Sequence, residues 1–220
     1  MAGIHSVADL TELGRTRLSE HFFMREMLYS EVGNFHGMSN IPDDPELAVH
    51  VGTQIAENLL EPLKRAFGHV AVRSAYRSPG LNQFCHDRHN ELTARGITDG
   101  AYYCSDNTYS ASRHIWDQRD ANGHCGGTVS PVIPWYLERY EQTGDASPLA
   151  WWIRDNLPDY AEIIFIPWMC AFNIRWYEGE PTKSIYIDHG ALEAETPLTE
   201  PGMANFEGDH SDQYQGFPAA

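Results

Sequence analysis

One short stretch of the chain, SRHIWDQRD from Ser112 to Asp120, places an imidazole and two carboxylates close together in sequence. Zinc binds imidazole nitrogen and carboxylate oxygen together in tetrahedral sites, and a hydrolytic zinc site keeps one position for water. His114, Asp117 and Asp120 could therefore supply two of three zinc ligands, with the third coming from elsewhere in the chain. A structural interpretation stays open, in which His114 is a hydrogen-bonded core residue and the aspartates cap turns.

A candidate substrate-binding residue is Arg77, which follows the strand-like stretch HVAVRSAY and precedes a Ser-Pro-Gly turn. Binding residues often lie at strand ends, and a guanidinium can hold a carboxylate through two parallel hydrogen bonds. A structural salt bridge is the alternative. Further along, Cys85, His86 and His89 could also be ligands, but a histidine-containing exposed loop is the more frequent explanation of such a stretch.

Two segments in the N-terminal half have helical spacing of apolar residues. LSEHFFMREMLYSE has Ser19 as a candidate N-cap and predicts a short amphipathic helix. NIPDDPELAVHVGTQIAENLLEPLKRAFG predicts a long helix packed on a sheet, with Asp43 or Asp44 as its cap and Pro45 in its first turn. Pro62 should bend or break this helix near its end.

The C-terminal half predicts a mixture of helices and strands. Residues 84–110 are polar and rich in turn formers. They are followed by a short strand (129–134), two helices (135–142 and PLAWWIRDNL) and three strands expected to pair antiparallel (161–167, 170–177 and 183–189). After Gly190 the chain is acidic and rich in proline and glycine, so it cannot fold alone and must be held by the body of the domain or by another chain.

The composition is that of one folded domain of 220 residues, with 42% hydrophobic residues. A formal net charge of -16 disfavours nucleic acid and anionic membranes as partners. No stretch is long and apolar enough for a membrane span, and the N-terminal residues lack the features of a Sec signal, so synthesis in the cytoplasm is expected. Four cysteines without CxxC spacing argue against a paired-cysteine zinc site.

Three segments taken in order resemble a known family. LSEHFFMREMLYSE, the long helix from NIPDD to AFG, and VRSAYRSPGLN are similar to the N-terminal half of the zinc D-alanyl-D-alanine peptidases, which include vancomycin-resistance D,D-peptidases and phage endolysins. The resemblance implies an α+β, hedgehog/DD-peptidase-like single domain with a central antiparallel sheet flanked by helices. That domain would span 18–190, between an N-terminal arm (1–17) and an extended acidic C-terminal tail (191–220).

The resemblance also implies a zinc ion bound by His, Asp and His, a Glu as general base and an Arg that binds substrate. By position, Arg77 matches the substrate arginine, and Ser112 and His114 match the start of the S-x-H-x-x-G-x-A-x-D signature. Asp117 stands at the glycine of this signature, and its aspartate position falls on Ala121. Either Asp117 or Asp120 would then be the acidic ligand.

The match is weaker on the late strands. Asn173, in AFNI, stands where the second ligand histidine is expected, and His189 is the nearby substitute. Glu162 and Glu178 are candidate general bases, of which Glu162 is preferred. Loss of one ligand of three would weaken zinc binding, because affinity depends on a complete shell.

Two functions follow as expectations. The first is a zinc-dependent peptidase that cleaves peptidoglycan peptide bonds of the D-Ala type, as a phage or phage-like cell-wall-degrading protein. The second is a catalytically degenerate domain of the same fold that serves as a structural or binding component of a phage virion, with the tail contacting other virion proteins. A calcium module has no support, because the D-x-D-x-D-G spacing is missing.

Overall fold

A computed structural model describes residues 3–167, 170–189 and 195–219. The described chain has an α+β architecture built on a mixed six-stranded sheet of order β1-β2-β4-β3-β5-β6. The strands are β1 Ala71–Ser74, β2 Gly126–Val132, β3 Glu162–Ile166, β4 Ala171–Tyr177, β5 Ser184–Ile187 and β6 Thr196–Thr199.

Helices precede and interrupt the strands. They are α1 Val7–Arg15, α2 Met24–Met27, α3 Glu31–His36, α4 Pro45–Ile55, α5 Glu61–Phe67, α6 Pro79–Ala94, α7 Asn107–Ser110, α8 Pro134–Thr143 and α9 Ser147–Asn156. None of these described helices is both long and apolar enough to cross a bilayer.

The long N-terminal helix forms as its sequence predicts. The Asp44 carboxylate accepts a hydrogen bond from the Leu47 backbone N–H, and Pro45 occupies the first turn, where no N–H is needed. The bend expected near Pro62 takes the form of a π-helical segment, Ala56–Leu60, which lies just before α5. A π turn lets the chain continue as a helix although proline lacks the N–H for an internal hydrogen bond.

The sheet has one apolar face and one polar face, because alternate residues of a strand point to opposite sides. The apolar face packs on α4 and the π-helical segment through Val129, Ile163 and Ile174, which are fully buried. Gly127 lies where α4 crosses β2, and a side chain there would meet Val51 at 2.5 Å. The polar face is left to form the cavity described below.

The pairing of the late strands differs from the expectation. β3 and β4 pair antiparallel as predicted, but β5 pairs with β3 in parallel and does not neighbour β4. The segment EGEPT (residues 178–182), between β4 and β5, therefore crosses past β3 and does not form a hairpin turn. A hairpin prediction assumes that successive strands are neighbours, which sequence spacing alone cannot establish.

The polar region after residue 84 was expected to be mainly loop, and this was wrong for its first part. Helix α6 extends to Ala94, with Ser78 capping its first turn by accepting the Leu81 N–H. The helix has only a few buried residues, so it lacks the apolar stripe that identifies most helices in sequence.

The described part of the C-terminal tail packs on the body of the domain. Its strand β6 pairs antiparallel with β5, and the Pro218 carbonyl accepts a hydrogen bond from the Trp152 indole at 2.9 Å. His210 stacks on Trp151 with ring centroids 4.1 Å apart and lies 2.9 Å from the Asp155 carboxylate. The sequence allows the tail to be held by the body of the domain or by another chain, and the described contacts are with the body. Residues 191–194 and 220 of the predicted tail lie outside the described part of the chain.

Candidate anion-binding cavity

The polar face of the sheet lines a cavity of about 490 Å³. Four arginines, Arg73, Arg77, Arg113 and Arg175, contribute to its lining, and we call it the arginine cavity. The strands place these side chains by simple alternation, since Arg73, Thr128, Asn173 and Arg175 all line the cavity from β1, β2 and β4. Such a concentration of guanidinium groups is notable in a chain with a formal net charge of -16.

Arg73 is a charged group held with few partners. Its Nη2 donates to the Ser130 hydroxyl at 3.1 Å, and its buried Nε has no hydrogen-bond partner. Burial lowers the pKa of Arg73, and the positive charge of Arg77 lowers it further against the opposing effect of Glu31. An anion in the cavity would offset the cost of burying the Arg73 charge and would reduce the repulsion between the Arg73 and Arg77 guanidinium groups.

Arg77 is fixed at the end of β1 by neutral partners. Its Nη1 donates to the Asn82 side-chain oxygen at 3.1 Å and lies 2.8 Å from the Cys104 sulfur. Its backbone N–H donates to the His114 carbonyl at 2.8 Å, which ties the strand end to the SRH segment. The salt-bridge alternative for Arg77 has no support among the described residues, because no carboxylate lies within salt-bridge distance of it there.

Of the other two arginines of the cavity, Arg113 and Arg175, one is paired with a carboxylate. Arg113 forms a two-pronged ion pair with Glu162, and although burial opposes its charge, the carboxylate raises the pKa of Arg113. Arg175 donates from Nε to the Ser112 carbonyl at 3.1 Å, and burial together with the charge of Arg113 lowers the pKa of Arg175 to about 10. The Glu162 carboxylate is therefore engaged as a counter-ion, which leaves it poorly placed to act as a general base.

His114 lines the same cavity and is held in one orientation. Its Nδ1 lies 2.9 Å from the Ala75 carbonyl, so Nδ1 carries the proton and Nε2 is the free acceptor. Burial, followed by the positive charges of Arg77, Arg73 and Arg113, lowers the pKa of His114 to about 3. The imidazole is thus neutral at physiological pH.

Two neutral polar residues also line the cavity, as do the carboxylates of Asp188 and Glu195. Asn173 on β4 and Thr128 on β2 both line the cavity, and the Asn173 side-chain oxygen is buried without a hydrogen-bond partner. Unsatisfied buried polar atoms are uncommon, and a bound ligand or water with a hydrogen to donate would satisfy this one.

The two aspartates of the SRHIWDQRD stretch do not join His114 in the arginine cavity. Asp117 is buried at the N-terminal end of α4 and accepts the Asp43 N–H at 2.7 Å; burial raises its pKa. Asp120 accepts the Asn122 and His124 N–H groups, and its other oxygen accepts the Tyr177 hydroxyl at 2.6 Å. Burial alone would raise the pKa of Asp120, but these hydrogen bonds lower it. Both residues make the turn and helix-end contacts of the structural interpretation.

The remaining predicted residues are divided between the cavity and the surface. Arg77, His114 and Glu162 share the arginine cavity, whereas His189 is exposed and lies 2.7 Å from the Thr196 hydroxyl. Within residues 3–167, 170–189 and 195–219, no three His, Cys, Asp or Glu side chains form a group that could hold a metal ion. The charges that act on His114 are those of Arg77, Arg73 and Arg113, and Glu162 is paired with Arg113, so the described residues do not fit zinc. Zinc binding stays a prediction.

Sequence reasoning did not single out Arg73, Arg113, Arg175 or Thr128. The available signal was alternation along the strands, because Asn173 and Arg175 lie two residues apart on β4 and must share a face. That face could not be recognised as a cavity wall without the order of the strands.

Comparison of the chain with protein-family models, with curated proteins and with solved structures finds no significant match.

Proposed function

We propose that this chain is a binding domain, related in fold to the DD-peptidases but not active as a zinc hydrolase, whose arginine cavity holds the terminal carboxylate of a peptide. The observation that carries the proposal is the convergence of four guanidinium groups on one cavity, which outnumber its three carboxylates, Glu162, Asp188 and Glu195. Guanidinium groups recognise carboxylates through paired, charge-assisted hydrogen bonds.

The inner end of the cavity is the best place for this carboxylate. Arg73 and Arg77 have no salt-bridge partner among the described residues, whereas Arg113 is already paired with Glu162. The Asn173 oxygen could then accept a hydrogen bond from a peptide N–H next to the carboxylate, since that oxygen has no partner of its own. The resemblance to DD-peptidases favours a peptide of the peptidoglycan type, ending in D-alanine.

The test is calorimetric titration with an N-acetylated dipeptide that ends in D-alanine, compared with its C-terminal amide. We expect the free acid to bind at least about tenfold more tightly than the amide, because the amide lacks the charge that the arginines recognise. Arg73→Gln and Arg77→Gln should each remove most of this preference. Arg95→Gln, at an exposed ion pair with Glu91, is the matched control and should leave affinity unchanged. Equal binding of acid and amide would refute the proposal.

A second candidate function is the zinc peptidase. It is favoured by one observation, the presence of Arg77, His114 and Glu162 in a single cavity. Metal analysis of the protein equilibrated with zinc decides between the two functions. One equivalent of zinc that His114→Ala removes, together with release of D-alanine from the peptide, would establish the peptidase in place of the binding domain. Assembly into a phage particle, or action on a cell wall, stays a prediction from the resemblance.

A further inference from the structure

A pair of cysteines lies directly behind the inner arginines of the cavity. Cys85 is on α6, and Cys104 follows the turn Gly100–Tyr102 and lines the cavity. With Leu81 they form a small buried cluster, separate from the main core, in which both cysteines are less than one tenth exposed. Both are free thiols in the structure.

Two side chains of α6 contact the backbone of residues 104 and 105 and hold this segment close to Cys85. His86, the next residue along α6, lies with Nδ1 3.0 Å from the Cys104 carbonyl. Asn82, one turn earlier on α6, donates to the Ser105 carbonyl at 3.0 Å. Residue 104 is thus held against α6 beside Cys85, in the same buried cluster, and a disulfide needs such closeness.

The four cysteines differ in acidity. A hydrogen bond with Cys104 and the nearby charge of Arg77 lower the pKa of Cys85 against the effect of burial, and the same hydrogen bond raises the pKa of Cys104. Burial raises the pKa of Cys125 and of Cys170 to about 11 in each case. Thiolates are the reactive form, so the first attack on an oxidant should come from Cys85.

We propose that Cys85 and Cys104 form a reversible disulfide, and that its formation releases Arg77 to bind an anionic ligand in the arginine cavity. The first part needs only the cysteine pair, whereas the second rests on the proposed function. In the reduced protein the Cys104 sulfur lies 2.8 Å from Arg77 Nη1. A disulfide would draw this sulfur toward Cys85, to about 2 Å from its partner sulfur, and away from the guanidinium.

Hydrogen peroxide is a suitable oxidant because it is small and can reach Cys104 through the cavity. One sulfur of the pair, as a thiolate, attacks a peroxide oxygen and becomes a sulfenic acid, with release of hydroxide. The second thiol attacks that sulfur, and the remaining oxygen leaves as water after taking the thiol proton. The two sulfurs lose two electrons, and the peroxide gains them. A dithiol reductant reverses the reaction by exchange.

The experiment treats the full chain with a small excess of hydrogen peroxide, alkylates the remaining thiols and maps the peptides by mass spectrometry. We expect one cross-linked species that joins the peptides of residues 85 and 104, lighter by two hydrogen atoms and lost on reduction. Cys85→Ala and Cys104→Ala should abolish it, and Cys125→Ala and Cys170→Ala should not. A circular-dichroism melt of each variant establishes that it is folded. Absence of the cross-link, or one joining other cysteines, would overturn the proposal.

The effect on the cavity is measured with the acetylated D-alanine dipeptide. Oxidised wild-type protein should bind it about threefold or more tightly than reduced protein, with no change in Cys85→Ala treated in the same way. A disulfide that forms and leaves the affinity unchanged would overturn the release of Arg77. Failure of the peptide to bind in either state would instead count against the proposed function, while the peptide map still decides the cysteine pair.

Discussion

At the scale of single residues, His114 should make stability depend on pH. Its pKa is lowered in the folded protein to about 3 by burial and by the surrounding arginines, against about 6.5 in an unfolded chain. The unfolded state therefore binds the extra proton between these two values, so the protein loses stability as pH falls below about 6.5.

The size of this effect can be isolated with a His114→Gln variant. Between pH 7 and pH 5 the wild-type protein should lose up to about 2 kcal/mol of unfolding free energy that the variant does not lose. Urea unfolding of both proteins at the two pH values measures the difference. An equal loss of unfolding free energy in the two proteins would mean that the His114 imidazole is charged in the folded protein.

The ion pair between Arg113 and Glu162 separates the two candidate functions. In a binding domain, Glu162→Gln removes a negative charge from the cavity and frees Arg113, so carboxylate affinity should rise by about threefold to tenfold. In a peptidase with Glu162 as base, the same change would abolish hydrolysis. Titration and a peptide-release assay on the same preparation distinguish these results. A cost of up to about 3 kcal/mol in stability is expected, because Arg113 is left partly buried and unpaired.

At the scale of secondary-structure elements, the C-terminal tail acts as part of the fold. Phe217 lies among three aromatic rings from two helices, with ring centroids 6.1 Å from Phe67, 5.2 Å from Trp135 and 5.5 Å from Tyr136. Arg139 also lies over its ring. These ring contacts, which we call the aromatic seam, join the tail to α5 and α8.

Removal of the tail should therefore destabilise the isolated domain. Phe217→Ala should cost about 2 kcal/mol, and deletion of residues 200–219 should cost more, because β6 would also lose its support. Phe35→Ala is the control, since Phe35 is 82% exposed and its loss should change stability by no more than about 0.5 kcal/mol. Thermal melts give the comparison. A deletion that melts like the full chain would instead favour a tail that is held by another chain.

The elements that sequence predicts best here are those with local signals. The cap of α4, the strands β2 to β4 and the helices α8 and α9 all follow from turn residues and apolar spacing, and the structure confirms them. What could not be predicted depends on long-range contacts. The parallel partner of β5, the pairing of β6 and the polar helix α6 are set by neighbours far away in sequence.

The residues of the candidate site also divide into those with a local sequence signal and those without one. Arg77 and His114 stand out in short motifs and do lie in one cavity. Asp117 and Asp120, chosen by proximity in sequence, and His189, chosen from the resemblance, lie outside it. A loop between His114 and β2 carries the aspartates away, and only the strand order reveals that Arg73, Arg113 and Arg175 converge.

At the scale of the whole molecule, the charge distribution is uneven. The chain carries a formal net charge of -16, yet four arginines and only three carboxylates line the arginine cavity. A small anion can enter such a cavity, while a long polyanion meets the acidic surface first. We therefore expect no measurable binding of duplex DNA by fluorescence anisotropy at physiological salt, under conditions where the carboxylate peptide binds. Tight DNA binding would show that a basic surface dominates over the net charge.

The aromatic seam under Phe217 also has a consequence for biogenesis. The tail emerges from the ribosome after the helices on which it packs, so the rings of Phe67, Trp135 and Trp152 face water until it arrives. Exposed aromatic surface of this kind promotes association between nascent chains. Slow translation of residues 200–219 would prolong that interval, and a holdase chaperone would shorten the exposure by covering the rings until the tail can displace it.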